Sequence, residues 1–347
     1  MSAPAPTWAV VLAGGGGTRF WPASTRERPK QLLPLAGERP LVVETVERAV
    51  AVAGEERVLI VTGPALAAAC REILPELGEE HYLVEPRPRG TGPALAWAAH
   101  HLSRAAPGAV MISMHADHLI EPLDEFRRTV RRAAGVARDG ERLYCIGVRP
   151  DRPETAYGYV RLGRRSSPHV YEAREFVEKP DADTAARYAG SEEYLWNSGI
   201  FAWKVSTFLE ALRGCAPEIA SALARLDEDD VPGFFEDVES VAVDVAVMER
   251  APAVGVVEAT FRWDDVGVWT ALARTHGTDP AGNTVVGPVS VAEARENIVW
   301  AEGGRVTLLG VDGLVVVRSG EETLVMPRKR ANELRELLRR LYGREVR

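Results

Sequence analysis

Four consecutive glycines, Gly14, Gly15, Gly16 and Gly17, stand directly behind a short apolar run at residues 8–12, and nothing else constrains the fold as tightly. The run has the composition of a buried strand. Glycines behind a strand strip side chains from backbone that something must approach closely, and phosphate is the commonest such ligand. Two well-known phosphate loops can be tested by counting. A Walker A loop needs Gly-Lys-Ser/Thr after a glycine and four spacers, but the positions reached here are Arg19, Phe20, Trp21 and Pro22. The dinucleotide fingerprint G-x-G-x-x-G fails too, because Gly14 leads to Arg19 and Gly15 to Phe20. What remains is a long loop from Gly14 to about Pro40, bearing Arg19, Pro29 and Lys30.

Lys30 gives that loop a purpose. The chain has 42 basic residues, of which only Lys30, Lys179, Lys204 and Lys329 are lysines. A lysine beside a glycine loop, in a chain that otherwise uses arginine, marks a site wanting a compact point charge. As a loop residue it is expected outside the core, so that its truncation would leave folding alone.

Downstream, strand-like and helix-like segments alternate. Helical spacing resumes near Leu41 and runs through Val42, Val46, Ala49 and Val50; residues 57–61 read as a buried strand, and 65–74 as a helix. Pro93 opens a further helix, 110–113 a strand, and Phe126, Val130, Ala133 and Ala137 mark the helix after Pro122. Such alternation predicts an α/β fold with a mostly parallel central sheet covered on both faces. Beyond residue 140 strands are expected at 144–148, 157–162, 170–177 and 199–203. After about residue 275 short β-type runs recur at 284–287, 297–300, 306–309, 314–317 and 324–326. A last helix carries Leu334, Leu337, Leu338 and Leu341 on one face and stops at Gly343. The division expected is a catalytic domain over 1–275 and a small β-rich domain with a terminal helix over 276–347.

The formal charge of −8 argues against nucleic acid as a partner, since phosphate-backbone binding leans on clustered Lys and Arg. No apolar run approaches a membrane span, and the opening residues have neither a basic nor an apolar region of a signal peptide, so a cytoplasmic location is expected. Three separated cysteines suit neither a disulfide framework nor a structural zinc site.

The loop itself, Leu12-Ala13-Gly14-Gly15-Gly16-Gly17-Thr18-Arg19-Phe20-Trp21-Pro22 followed by Pro29-Lys30-Gln31, resembles the L-A-G-G-x-G-T-R-L-W-P…P-K-Q signature of sugar-1-phosphate nucleotidyltransferases, specifically the mannose-1-phosphate guanylyltransferases. Further stations agree: Glu85-Pro86…Arg89-Gly90-Thr91-Gly92-Pro93-Ala94, Asp117-His118, Phe176-Val177-Glu178-Lys179-Pro180, Trp196-Asn197-Ser198-Gly199 and Trp263-Asp264-Asp265-Val266-Gly267-Val268-Trp269. The resemblance covers nearly the whole chain. It departs at Gly90, where the family usually has Asn, and at Ala242-Val243-Asp244-Val245, which replaces S-I-D-Y and weakens any role for Asp244.

The resemblance implies a Rossmann-like catalytic domain, a β-helix-like tail, and transfer of GMP from GTP to mannose 1-phosphate with Mg2+. It implies Arg19 on the β- and γ-phosphates and Lys30 near the α-phosphate. Leu12, Ala13, the four glycines, Thr18, Glu85, Arg89 and Thr91 are expected around the nucleotide. Gly158, Glu178, Lys179 and Asn197 are expected around the sugar phosphate, and Asp117 and Asp265 on the metal. Asp264 is the near alternative to Asp265 and is expected to be solvated; His118 is expected to be a packed histidine. Two rival functions stay open, a uridylyl- or thymidylyltransferase acting on glucose 1-phosphate and a silent regulatory paralogue that binds GDP-mannose. The β-rich tail is left with two roles, homodimer formation or capping of the sheet.

Overall fold

The computed structural model describes residues 5–15 and 17–343, so Gly16 lies outside the described residues. The described chain divides into two compact units. One takes in the chain up to Gly14, then Thr45–Ala116 and Ile120–Trp263. The other takes in Gly15–Glu44, Asp117–Leu119 and the chain from Asp264 onward.

The first unit is built on a nine-stranded sheet. Its strands lie in the order Tyr82–Val84, Val58–Thr62, Thr7–Ala13, Val110–His115, Tyr194–Lys204, Leu143–Val148, Val254–Glu258, Val170–Val177 and Tyr159–Ser167. The pairings make seven of them run one way, with only Val170–Val177 and Tyr194–Lys204 reversed. This is the mostly parallel sheet expected. Its inner strands are apolar on both sides, as strands covered by helices on two faces must be: Val58, Leu59, Ile60, Val61 and Thr62 are all buried. Helix Leu123–Asp139 buries Phe126, Val130, Ala133 and Ala137, the four residues that its spacing singled out.

Some elements begin elsewhere than expected. The helix assigned to Pro93 starts two residues earlier and spans Thr91–Ala105. Strand Tyr82–Val84 is too short to show a period, and strand Val254–Glu258 is interrupted by Gly255. That glycine lies under the Tyr144 ring, where a Cβ would come within 2.3 Å of Cε1.

In the second unit, strands Thr284–Val286, Ile298–Glu302 and Leu314–Ser319 stack in parallel, with Glu322–Pro327 added antiparallel; Val289–Ala292 and Val306–Leu309 pair as a second parallel sheet. Parallel strands repeating once per coil are the geometry of a short β-helix. Asn283 and Asn297 tie successive coils: Asn297 Nδ2 donates to Asn283 Oδ1 at 3.0 Å, and Asn297 Oδ1 accepts from the Leu314 N–H at 2.9 Å. The terminal helix, Leu334–Tyr342, ends on Gly343 in the left-handed region, as expected. It buries Leu334 and Leu338, while Leu341 faces outward, contrary to the one-faced stripe read from the sequence.

The glycine-rich loop belongs to this unit's core. Phe20, Leu33, Leu35 and Leu41 share one apolar cluster with Trp269, Trp300, Val315, Val317, Leu334 and Leu338. Phe20 meets Trp269 edge-on at 5.0 Å, and Trp269 Nε1 donates to Trp21 O. Each fully buried side chain of this kind contributes about 1.5–3 kcal/mol. The long loop has only the short 3₁₀ turns Thr18–Phe20 and Lys30–Leu32 among its described residues, and that burial adds to the few backbone hydrogen bonds that hold its course.

Candidate active site

In the second unit the loop folds back to place Lys30 beside the two aspartates. Gly17 caps the single turn Thr18–Phe20 with φ +56°, and a Cβ there would lie 2.8 Å from both N and Cβ of Lys30. Glycine is therefore required at this position for the turn to pack on Lys30. Gly15 also has a positive φ, but its missing Cβ, like that of Gly14, faces open space. The glycine run thus serves two purposes, packing at one end and open backbone at the other.

Lys30 is only 6% exposed, which corrects the expectation of a lysine outside the core. Its Nζ donates to Asp117 Oδ2 at 3.0 Å and to the Asp265 carbonyl oxygen at 2.7 Å, and lies 5.9 Å from the Phe20 ring centroid. One ammonium therefore draws together the two residues that the sequence singles out as metal ligands, 148 positions apart in the chain. His118 is buried, with Nε2 3.7 Å from Asp117 Oδ1, the packed histidine expected. Arg19 is exposed and makes no ion pair among the described residues.

Asp264 is not solvated. It is 2% exposed, and its carboxylate accepts from Arg274 Nε at 2.5 Å, from Arg274 Nη2 at 3.1 Å and from the Val266 N–H at 2.8 Å. Val266 carries φ +46°, a conformation that costs a β-branched residue about 1–2 kcal/mol and that persists only when its surroundings fix it. Sequence reasoning missed this pair because the only signal, an arginine ten positions on, is common in this chain.

In the first unit the sugar-side residues converge. Asn197 N–H donates to the Gly158 carbonyl at 2.8 Å, and a Cβ on Gly158 would come within 2.8 Å of Glu178 Oε2. Lys179 Nζ donates to Glu178 Oε1. Asn197 Nδ2 donates to Asp244 Oδ1 at 2.7 Å, while its Oδ1 accepts from the Gly199 N–H at 3.1 Å. Asp244, discounted on sequence, is thus the group that orients the Asn197 amide. Burial raises its carboxyl pKa, and the Asn197 hydrogen bond pulls it the other way. Below this cluster Tyr157 packs edge-on against Trp196 and Trp263, with the Arg152 guanidinium 4.8 Å from the Trp196 ring centroid.

The nucleotide-side residues of this unit are tied to the protein itself. Arg89 Nε donates to Phe235 O at 2.8 Å and Nη2 to Glu236 O at 3.1 Å, and Thr91 Oγ1 accepts from the Val243 N–H. Between them Gly90 has φ +84° and ψ 178°, a region open essentially to glycine alone, and a Cβ would lie 2.7 Å from Val241 O. The departure from the usual Asn therefore has a backbone cause.

Glu85 is pushed up to about 7 by burial, opposed by the Arg89 backbone N–H. A carboxyl whose pKa is raised by folding stabilises the native state at low pH, and that contribution is lost as pH climbs from about 4.5 to about 7. Glu85→Gln should accordingly stabilise the protein at pH 8 by about 1–2 kcal/mol, discounted for partial exposure, and change little at pH 5. Thermal melts at the two pH values check this; equal shifts at both would remove the titration.

Among the described residues no group of three or more His, Cys, Asp or Glu side chains could hold a metal between them. No described helix is long and apolar enough to cross a membrane.

Comparison with known proteins bears on both units. The nucleotidyl transferase family model matches residues 8–281, and the mannose-phosphate isomerase/GMP-like β-helix domain model matches 288–341. A mannose-1-phosphate guanylyltransferase of Escherichia coli is 35% identical over 96% of this chain and 73% of its own length. The xanthan biosynthesis protein XanB of Xanthomonas campestris is 34% identical over 95% and 72%. Among solved structures, a Thermus thermophilus protein described as a mannose-1-phosphate geranyltransferase superposes with a TM-score of 0.89 at 36% identity, covering 97% of this chain and 99% of that one.

Proposed function

The chain belongs to the nucleotidyl transferase family, among the mannose-1-phosphate guanylyltransferases, and we propose that it joins GTP to α-D-mannose 1-phosphate, giving GDP-mannose and diphosphate. The observation that carries the proposal is Lys30, a buried ammonium held between Asp117 and Asp265 behind a glycine-rich loop.

In the proposed reaction an oxygen of the sugar phosphate forms the new bond to the α-phosphorus of GTP. The bond from that phosphorus to the bridging oxygen breaks, and its electron pair leaves with diphosphate. The nucleophile is already an anion at neutral pH, so no base has to remove a proton, and catalysis reduces to positioning and charge neutralisation. Lys30 is assigned to the charge that builds at the α-phosphoryl group. Arg19, exposed and without an ion pair among the described residues, is assigned to the β- and γ-phosphates through its forked donors. Leu12, Ala13, the glycines and Thr18 offer backbone to the triphosphate, with Glu85, Arg89 and Thr91 shaping the nucleotide side. Gly158, Glu178, Lys179 and Asn197 are assigned to mannose 1-phosphate. Residues 1–275 are assigned to the catalytic segment and 276–347 to a β-rich segment with a terminal helix.

A divalent cation fits the donors present. Asp117 Oδ2 and the Asp265 backbone lie within reach of one cationic nitrogen, and both residues offer the hard oxygens that magnesium takes together with phosphates and water. When bound, Mg2+ would neutralise phosphate charge; Asp117 and Asp265 would hold it.

Diphosphate release, measured with mannose 1-phosphate, magnesium and each of GTP, ATP, UTP and dTTP, tests the proposal. Strong release with GTP alone is expected. Release with UTP or dTTP instead would keep the transfer chemistry and overturn the base assignment. Folded protein that releases none with any nucleotide would overturn the function.

A further inference from the structure

We propose that Asp264 and Arg274 form a positioning pair that sets the Asp265 turn, and with it the place where the divalent cation is held; the inference rests on the nucleotidyl-transfer function above. Neither residue is needed to touch substrate or cation.

Both oxygens of the Asp264 carboxylate are used. Arg274 grips them from one side with Nε and Nη2, so the carboxylate plane is fixed, and Oδ1 also receives the Val266 N–H. That last bond pins the peptide joining Asp265 to Val266. The same peptide supplies the carbonyl oxygen that accepts from Lys30 Nζ at 2.7 Å. Asp264 therefore holds the N–H end of a peptide whose C=O end holds Lys30. Val266 would not adopt φ +46° on its own account. The next residue completes the device: an added Cβ on Gly267 would stand 2.6 Å from Asp265 Oδ2, so the Asp265 carboxylate lies back over its own turn. Arg274 is itself well anchored, since it sits in the short helix Leu272–Thr275 behind the fully buried Trp269, Ala271 and Leu272.

A carboxylate that merely neutralised a neighbouring arginine would not need the Val266 N–H. A hydrogen-bond acceptor that merely closed the turn would not need two guanidinium contacts. The combination serves to stop one peptide from rotating, and Asp265, whose carbonyl belongs to that peptide, both holds Lys30 and is assigned to the cation.

The test compares wild type with Asp264→Ala, Asp264→Asn and the uncharged pair Asp264→Asn/Arg274→Gln. Each is measured for Mn2+ affinity by electron paramagnetic resonance without substrates, for melting temperature, and for kcat and KM. Asp264→Ala, which frees the Val266 N–H, should weaken Mn2+ binding about tenfold or more and lower kcat, while KM for mannose 1-phosphate stays within about twofold. The uncharged pair keeps an acceptor for that N–H and a donor opposite it, and should recover Mn2+ affinity to within about threefold of wild type. Asp264→Asn should fall between them. Unchanged Mn2+ affinity in folded Asp264→Ala, or in folded Asp264→Asn if the alanine variant does not fold, would overturn the positioning role while leaving the transferase intact. Wild type that neither binds Mn2+ nor releases diphosphate would instead overturn the underlying function and this inference with it.

Discussion

Lys30→Met should lower kcat by two to three orders of magnitude and melt only a few degrees below wild type. The rate loss follows from the assigned role: one preorganised cation aimed at charge that develops in the transition state is worth about 10²–10³ in rate. Methionine keeps most of the lysine's length, so the buried stem against Phe20 and Gly17 is retained and what disappears is Nζ. The stability cost has a definite source. Asp117 Oδ2 and the Asp265 carbonyl each lose a donor, and a buried acceptor deprived of its partner costs about 1–3 kcal/mol. Partial exposure of the Asp117 side chain places the effect toward the lower end. Alanine is a poorer probe, because a cavity in the core would mix packing loss with charge loss. Single-turnover kinetics and a thermal melt separate the two, and a kcat within twofold of wild type would take Lys30 out of the chemistry.

That experiment differs from the one the sequence alone would suggest, and the difference shows where sequence reading stops. The rarity of lysine picks out Lys30 and the motif spacing picks out Asp117 and Asp265, because each is a local signal. Burial of Lys30 is not local. It depends on Phe20, Leu33 and Leu35 entering a cluster that includes Trp300, Val315, Val317, Leu334 and Leu338, more than 250 residues further on. Asp264 shows the same limit more sharply. Two adjacent aspartates look alike in a sequence, and only the folded turn decides that one is locked to Arg274 and the other presents its carbonyl to Lys30. Asp244 is discounted on sequence because its neighbours depart from the family pattern, yet its carboxylate holds the Asn197 amide. The strands that escape sequence reading do so for related reasons: Tyr82–Val84 is stabilised by its neighbour Val58–Thr62 and not by its own period, and Gly255 answers to the Tyr144 ring. What the sequence does carry reliably is alternation and motif spacing; what it hides are partners chosen by the fold.

The second large effect separates the two ends of the glycine run. Gly17→Ala should destabilise the protein by about 3 kcal/mol or more, lowering the melting temperature by about 5 °C or more. Two penalties add. A left-handed φ of +56° costs alanine about 1 kcal/mol. The new methyl would also sit 2.8 Å from the Lys30 backbone nitrogen, and because that nitrogen cannot swing aside as a flexible side chain could, the turn itself must shift. Activity should fall with it, since the displaced residue is Lys30. Gly14→Ala should behave in the opposite way. Its backbone needs no positive φ and its Cβ would meet nothing within 4 Å, so the melt should match wild type to within about 0.5 kcal/mol. Its cost should appear only in the presence of nucleotide, as a KM for GTP raised about tenfold, if a phosphate group occupies the open space beside it. A wild-type melt for Gly17→Ala would show that the loop can be rebuilt without its contact to Lys30. A wild-type KM for Gly14→Ala would show that the triphosphate does not pass beside Gly14.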